Sequence, residues 1–210
     1  MKLNKIKTFL IISLLVVTTV QYTYSQDQDN KWVIGIGVNA VDFYPTNELS
    51  TVTGNNGGFF NGITNAKDHW NVFLPTINAS RHIMDRFSVD ASLSINKISK
   101  VGDFEVDDLS YLGVDVVGQY AFRDSSKKLI PFALAGVGYT WVDSKGWGTI
   151  NVGLGSNYWF NEKLGAKVNA VYKHSGEDKT IKLLSHFQYS LGVVFKLNGS
   201  RVSRAADCPE

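Results

Sequence analysis

The chain has 210 residues, of which 44% are apolar and 12% aromatic, with 19 glycines, four prolines and one cysteine. That length suits one domain, and a lone cysteine excludes an internal disulfide framework. The 21 basic and 19 acidic residues give a formal charge of +2, but Lys2, Lys5 and Lys7 lie in a segment expected to be removed, leaving 18 against 19. No basic excess remains of the kind that marks a nucleic-acid-binding surface.

Those three lysines open a secretory signal peptide. Residues 9–20 supply its apolar core, and Thr23 and Ser25 are the small residues that peptidase needs, so residues 1–25 should be cleaved between Ser25 and Gln26. The apolar run is well short of the ~20 residues of a membrane-spanning helix. No cysteine follows it, which excludes a lipoprotein anchor.

Eight later segments alternate apolar with polar or small residues, the pattern of a strand with two unlike faces. Segment 32–43 sets Trp32, Ile34, Ile36 and Val38 against Gly35, Gly37 and Asn39. Segment 72–82 opposes Phe73, Pro75, Ile77 and Ala79 to Thr76, Asn78 and Ser80. In 87–96 the contrast is cleanest: Phe87, Val89, Ala91, Leu93 and Ile95 against Ser88, Asp90, Ser92, Ser94 and Asn96. Segment 111–122 places Leu112, Val114, Val116, Tyr120 and Phe122 opposite Asp115 and Gln119.

Segment 130–142 is almost continuously apolar, and its facing is ambiguous. In 149–160, Ile150, Val152, Leu154, Tyr158 and Phe160 share a face, with Asn151, Gly153, Gly155 and Asn157 on the other. Segment 164–174 opposes Leu164, Ala166, Val168, Ala170 and Tyr172 to Lys167, Asn169 and Lys173. The last, 186–195, opposes Phe187, Tyr189, Leu191, Val193 and Phe195 to Gln188, Ser190 and Gly192.

Strands of ~10 residues, rising ~3.3 Å each and tilted by ~40°, span an apolar band of roughly 25 Å. Connections alternate between long (44–71, 97–110, 143–148, 175–185) and short (83–86, 123–129, 161–163), as in membrane barrels with long outer loops and short periplasmic turns. The expectation is an all-β, eight-stranded antiparallel up-and-down transmembrane barrel over residues 26–197. A soluble lipid-binding barrel has as many strands but an apolar inside. Three features favour the apolar-out arrangement. The polar face is rich in small residues, aromatics gather near strand ends, and the final strand closes on Phe195.

On the inward face, Asp90, Asp115 and Lys167, with Lys173 near them, form a charge cluster. Buried charges persist when paired and hydrogen-bonded. Lys167 is therefore expected to bridge Asp90 and Asp115, with Asn78, Gln119, Asn151, Asn157 and Asn169 completing a polar plug. Solvated charges near the mouths are the other reading. His174, Ser175, Glu177 and Asp178 share one outer-rim loop, where a membrane enzyme would hold its catalytic set, but such a set arises by chance in polar loops. The four histidines lack metal-site spacing, and Gly54-Asn-Asn-Gly-Gly58 lacks the helix and Lys-Ser/Thr of a phosphate loop. No catalytic residue, metal or cofactor is assigned.

Taken in order and spacing, several stretches resemble the N-terminal barrel of the OmpA family of outer-membrane proteins. They include Trp32-Val-Ile-Gly-Ile-Gly-Val-Asn-Ala-Val-Asp-Phe-Tyr-Pro45, Val106-Asp-Asp-Leu-Ser-Tyr111, Gly136-Val-Gly-Tyr-Thr-Trp-Val-Asp143 and Asn157-Tyr-Trp-Phe-Asn-Glu162. Tyr172-Lys-His-Ser175 and Asp207-Cys-Pro-Glu210 complete the set, which is similar to the variant with an acidic calcium-binding spacer after the barrel. Tyr189, Leu191, Gly192, Val193 and Phe195 resemble the C-terminal signal read by the barrel assembly machinery.

The resemblance implies an outer-membrane location with both termini periplasmic, contact with lipid and lipopolysaccharide, and partners reached through the long loops. It implies a structural, envelope-integrity or surface-contact role, with a small porin and an outer-rim enzyme as alternatives. Residues 198–210 read as a remnant of the spacer. Their acids are Asp207 and Glu210 alone, against about six to eight oxygens around a calcium ion. Neither calcium nor peptidoglycan binding is expected, and Cys208 looks like half of a family disulfide. N-terminal sequencing of the exported protein should begin at Gln26; a start at Met1 would contradict the signal peptide.

Overall fold

Eight antiparallel strands each pair with the next, and the last returns to the first: β1 (Trp32–Asp42), β2 (Asn71–Met84), β3 (Phe87–Val101), β4 (Phe104–Ala121), β5 (Leu129–Val142), β6 (Lys145–Trp159), β7 (Leu164–Ser175) and β8 (His186–Leu197). The structure, a computed structural model, describes residues 31–43, 70–101, 104–124, 127–143, 145–176 and 185–197. The signal peptide with Ser25 and Gln26, most of the first loop, residues 177–184, and the tail with Cys208 lie outside these.

The β1–β8 ladder runs from Trp32↔Leu197 to Asp42↔Phe187 and removes both sheet edges. It is tightest at Gly37, opposite Gly192, where a Cβ would lie 2.2 Å from the Leu191 carbonyl oxygen. Any side chain there would force the closing strands apart.

Alternation assigns the faces. Along β6, Ile150, Val152 and Leu154 are 65%, 53% and 62% exposed, while Thr149 and Asn151 are buried. Phe73, Leu93, Val116, Val137, Val168 and Leu191 extend the exposed apolar surface around the cylinder. The apolar face is outside, which excludes the lipid-binding-barrel arrangement. In β5 the ambiguity resolves with Ile130, Phe132 and Leu134 inward and Leu129, Val137, Tyr139 and Trp141 outward.

Two expected connections are corrected. Residues 97–110 are largely strand rather than loop, because β3 continues to Val101 and β4 begins at Phe104. Burial of Ile98 and Val101, with Val106 and Leu109 packed against the same cluster, stabilises this extension, and Lys97 ion-pairs with Asp108 across it. The 143–148 connection contracts to a tight turn with Asp143 at φ 59°, so Trp147 joins β6 and faces inward. Asp tolerates that left-handed conformation better than most residues.

The inside is less uniformly polar than the alternation implies. Near the long-connection end, Val41, Phe43, Ile98, Val101, Tyr111, Val142 and Trp147 form one cluster. At the short-turn end, Val33, Ile130, Trp159 and Val194 form another. Eight strands leave an interior that side chains fill: large apolar groups gather toward each end, and a third cluster of Val117, Phe132 and Leu134 adjoins the polar middle. Purified protein should need detergent or lipid to stay in solution and give a β-type circular dichroism spectrum. Solubility in plain buffer, or substantial helix, would contradict the apolar-out barrel.

Candidate functional site

The polar middle is built by inward positions of β2, β3, β4, β6 and β7. Lys167 Nζ donates to Asp90 Oδ2 at 2.7 Å. Asp90 also accepts from Asn78 Nδ2 at 2.8 Å and from the Ser80 hydroxyl. Lys173 Nζ donates to Asp115 Oδ2 at 2.7 Å, and Asn151 Nδ2 donates to Asp115 Oδ1 at 2.7 Å. Thr149 in turn donates to Asn151 Oδ1 at 2.9 Å. All four charged residues are buried, Lys173 to 1% exposure.

The expected single bridge is corrected: Lys167 holds Asp90, and Lys173 holds Asp115. Asp115 pairs in register with Ser92, one same-face step beyond Asp90, or about 7 Å along the strand. Lys173 lies nearer the long-connection end of β7 than Lys167, so each ammonium meets the carboxylate on its own level. Both pairs cross between strands that are not neighbours in the barrel. Each charge is neutralised where it sits, the condition for keeping an ion in a low-dielectric interior.

Room for the second pair comes from glycine. A Cβ on Gly138 of β5 would lie 2.1 Å from Asp115 Oδ1 and 2.8 Å from Asn151 Nδ2. The remaining central cavity, about 40 Å³, touches all four charged residues. It is large enough for a little water and far too small for a solute passage.

Above Asp115 the network continues in groups the sequence did not single out. Tyr111 Oη lies 3.0 Å from His186 Nε2, donates to Gln188 Oε1 at 3.3 Å, and accepts from Lys173 Nζ at 3.4 Å. Gln188 donates to Ser94 Oγ at 2.7 Å. The available signal was that Tyr111 shares a strand face with Asp115, and Gln188 is on the face of Ser190.

The expected plug divides. Asn78 and Asn151 hold the carboxylates, and Asn169 bonds Ser190. Gln119 and Asn157 instead face a wider space at the short-turn end. In the C-terminal signal, Tyr189, Leu191, Val193 and Phe195 face outward, and Gly192 packs on the Ile36 backbone. Tyr189 stacks on Trp70 with centroids 4.7 Å apart. At the rim, His174 is exposed and Ser175 is buried on the opposite face, so the two do not form a dyad; the serine beside His174 is Ser185, whose Oγ lies 3.2 Å from its Nδ1. Glu177 and Asp178 lie outside the described residues.

No protein-family model and no curated protein matches the chain. Solved outer-membrane barrels do share its fold. Neisserial surface protein A aligns with TM-score 0.55 at 17% identity, covering 80% of this chain and 97% of that one. The N-terminal barrel domain of Pseudomonas aeruginosa OprF aligns at 0.52 and 14%, covering 81% and 100%. OprG of the same organism aligns at 0.52 and 12%, covering 86% and 100%.

Lys173→Met leaves Asp115 buried with Asn151 as its remaining partner and should cost ~3–5 kcal/mol. Lys167→Met should cost less, because Asn78 and Ser80 still serve Asp90. Adding Asp115→Asn to Lys173→Met should recover much of the loss. Urea unfolding of the refolded barrel in detergent measures all three, and equal stability of wild type and Lys173→Met would show the charges to be solvated.

Proposed function

We propose that this chain is an integral outer-membrane barrel with a structural, envelope-integrity or surface-contact role. The observation that carries the reading is the closed lumen. Two neutral Lys–Asp pairs cross it, an apolar cluster stands toward each end, and about 40 Å³ stays open between the four charges. An interior of that kind stiffens a cylinder and carries no solute stream. The exposed apolar belt supplies the lipid-contacting surface.

The strand ends Trp32 and Leu197 lie together at the end with the short turns, which supports placing both termini in the periplasm. Contacts would then fall to the long connections on the outer side, with lipopolysaccharide and surface or membrane-protein partners as the classes in reach. The outward Tyr189, Leu191, Val193 and Phe195 suit recognition by the barrel assembly machinery during insertion. The reading gives His174 and Ser175 no joint catalytic role, since they face opposite ways. An OmpA-like barrel fits this fold, and the variant with an acidic spacer rests on the sequence resemblance alone.

In planar bilayers the wild-type barrel should show no large, stable openings. Lys173→Met combined with Lys167→Met should raise the frequency of brief ones by removing the cross-lumen ties. Long-lived porin-sized conductance in wild type would overturn the structural role in favour of a channel.

A further inference from the structure

At the long-connection end, β3 and β4 leave the wall of the barrel. The β2–β3 ladder stops at Thr76↔Ser94, although β2 reaches Asn71 and β3 reaches Val101. Over that stretch β2 stays paired with β1 as far as Val41↔Asn71, so the separation lies between β2 and β3. On the other side the β4–β5 ladder begins at Tyr111↔Val142, with one more bond from the Asp143 N–H to the Ser110 carbonyl. Within the arm, β3 and β4 pair with each other from Lys97↔Ser110 to Val101↔Phe104, and Lys97 ion-pairs with Asp108. The 95–110 arm is thus a hairpin zipped to itself and joined to the sheet at its base.

Three asparagine side chains close the seam where a strand ladder would otherwise run. Asn39 Nδ2 donates to the Ile95 carbonyl at 2.9 Å. Asn96 Nδ2 donates to Asn39 Oδ1 at 2.7 Å and to the Asn71 carbonyl at 2.8 Å. Asn71 Oδ1 accepts from the N–H groups of Ser99 and Lys100, each at 2.9 Å, and its Nδ2 donates to the Lys100 carbonyl at 2.8 Å. Bonds of this kind can be exchanged for water without breaking any strand pair. The buried side chains of the arm, Ile98 and Val101, join Val41, Phe43 and Trp147 of the wall in one apolar cluster. Tyr111 belongs to that cluster and also accepts from Lys173 Nζ at 3.4 Å, so the arm covers the upper end of the charged network.

We propose that the 95–110 hairpin is a lid on this mouth, hinged at Ser94 and Tyr111 and latched by Asn39, Asn71 and Asn96. It swings out along the β2–β3 seam as a unit, uncovering Val41 and Tyr111 while the rest of the ring stays paired. Such local opening draws on the least connected part of a fold. The lid does not depend on the structural role proposed above, because both Lys–Asp pairs lie below it and stay in place when it moves.

Thiol labelling of the refolded barrel in detergent tests it, in a Cys208→Ser background, with a charged methanethiosulfonate. Ile98→Cys reports on the arm, Val41→Cys on the wall beneath it, and Val194→Cys on the short-turn cluster. Adding Asn71→Ala should speed labelling of Ile98→Cys and Val41→Cys by about tenfold or more and leave Val194→Cys unchanged. Unchanged rates at the first two, a parallel rise at Val194→Cys, or a rise at Ile98→Cys alone (a frayed tip) would overturn the lid. Amide exchange of the unsubstituted chain gives a check that needs no variant to fold. Ser99 and Lys100 should share one protection factor, about tenfold or more below those of Ala91 and Leu93 in the same strand; protection equal to that of Ala91 and Leu93 would overturn the lid as well.

Discussion

A cylinder of eight strands is too narrow to leave its inside empty and too long to let water fill it. Everything placed there must be satisfied by something else placed there. The two Lys–Asp pairs are the clearest result of that constraint. Each lysine reaches across from β7, each carboxylate takes a further amide, and a glycine at 138 makes the space for one of them. Separately these groups would be costly to bury. Together they tie β7 to β3 and to β4 through the lumen, adding contacts that the neighbour-to-neighbour ladder of the sheet cannot supply.

The apolar clusters make those pairs persistent. With Tyr111, Trp147 and Val142 toward the long connections, and Val117, Phe132 and Leu134 between the pairs and the wider space at the short turns, water has little access, and the attraction within each pair is screened less than at a surface. The same closure shapes the functional reading. A barrel that is apolar outside and blocked inside is suited to presenting its ends and loops rather than to conducting through its axis. The two ends differ: β3 and β4 extend together at one, and a wider space lies at the other.

The solved barrels that share this fold do so at 17% identity or less. At that distance the common element is the cylinder, which alternation and strand number specify with many different residues.

Strand number, the facing of most strands and the inward placement of Asp90, Asp115, Lys167 and Lys173 were legible in the sequence, because side chains on a strand must alternate whatever surrounds them. The 130–142 segment was not, since apolar residues on both sides of the sheet erase the period. Nor was the 97–110 hairpin, whose polar residues read as loop until Ile98 and Val101 found apolar neighbours contributed by other strands. The partnership of each charge lay further out of reach. Whether Lys167 or Lys173 meets Asp115 depends on the stagger of β4 against β7, and that register is set by closing the ring. Alternation is a local property of the backbone and can be read along the chain. Contacts across the lumen join residues far apart in sequence, and only the closed tertiary structure fixes which of them share a level.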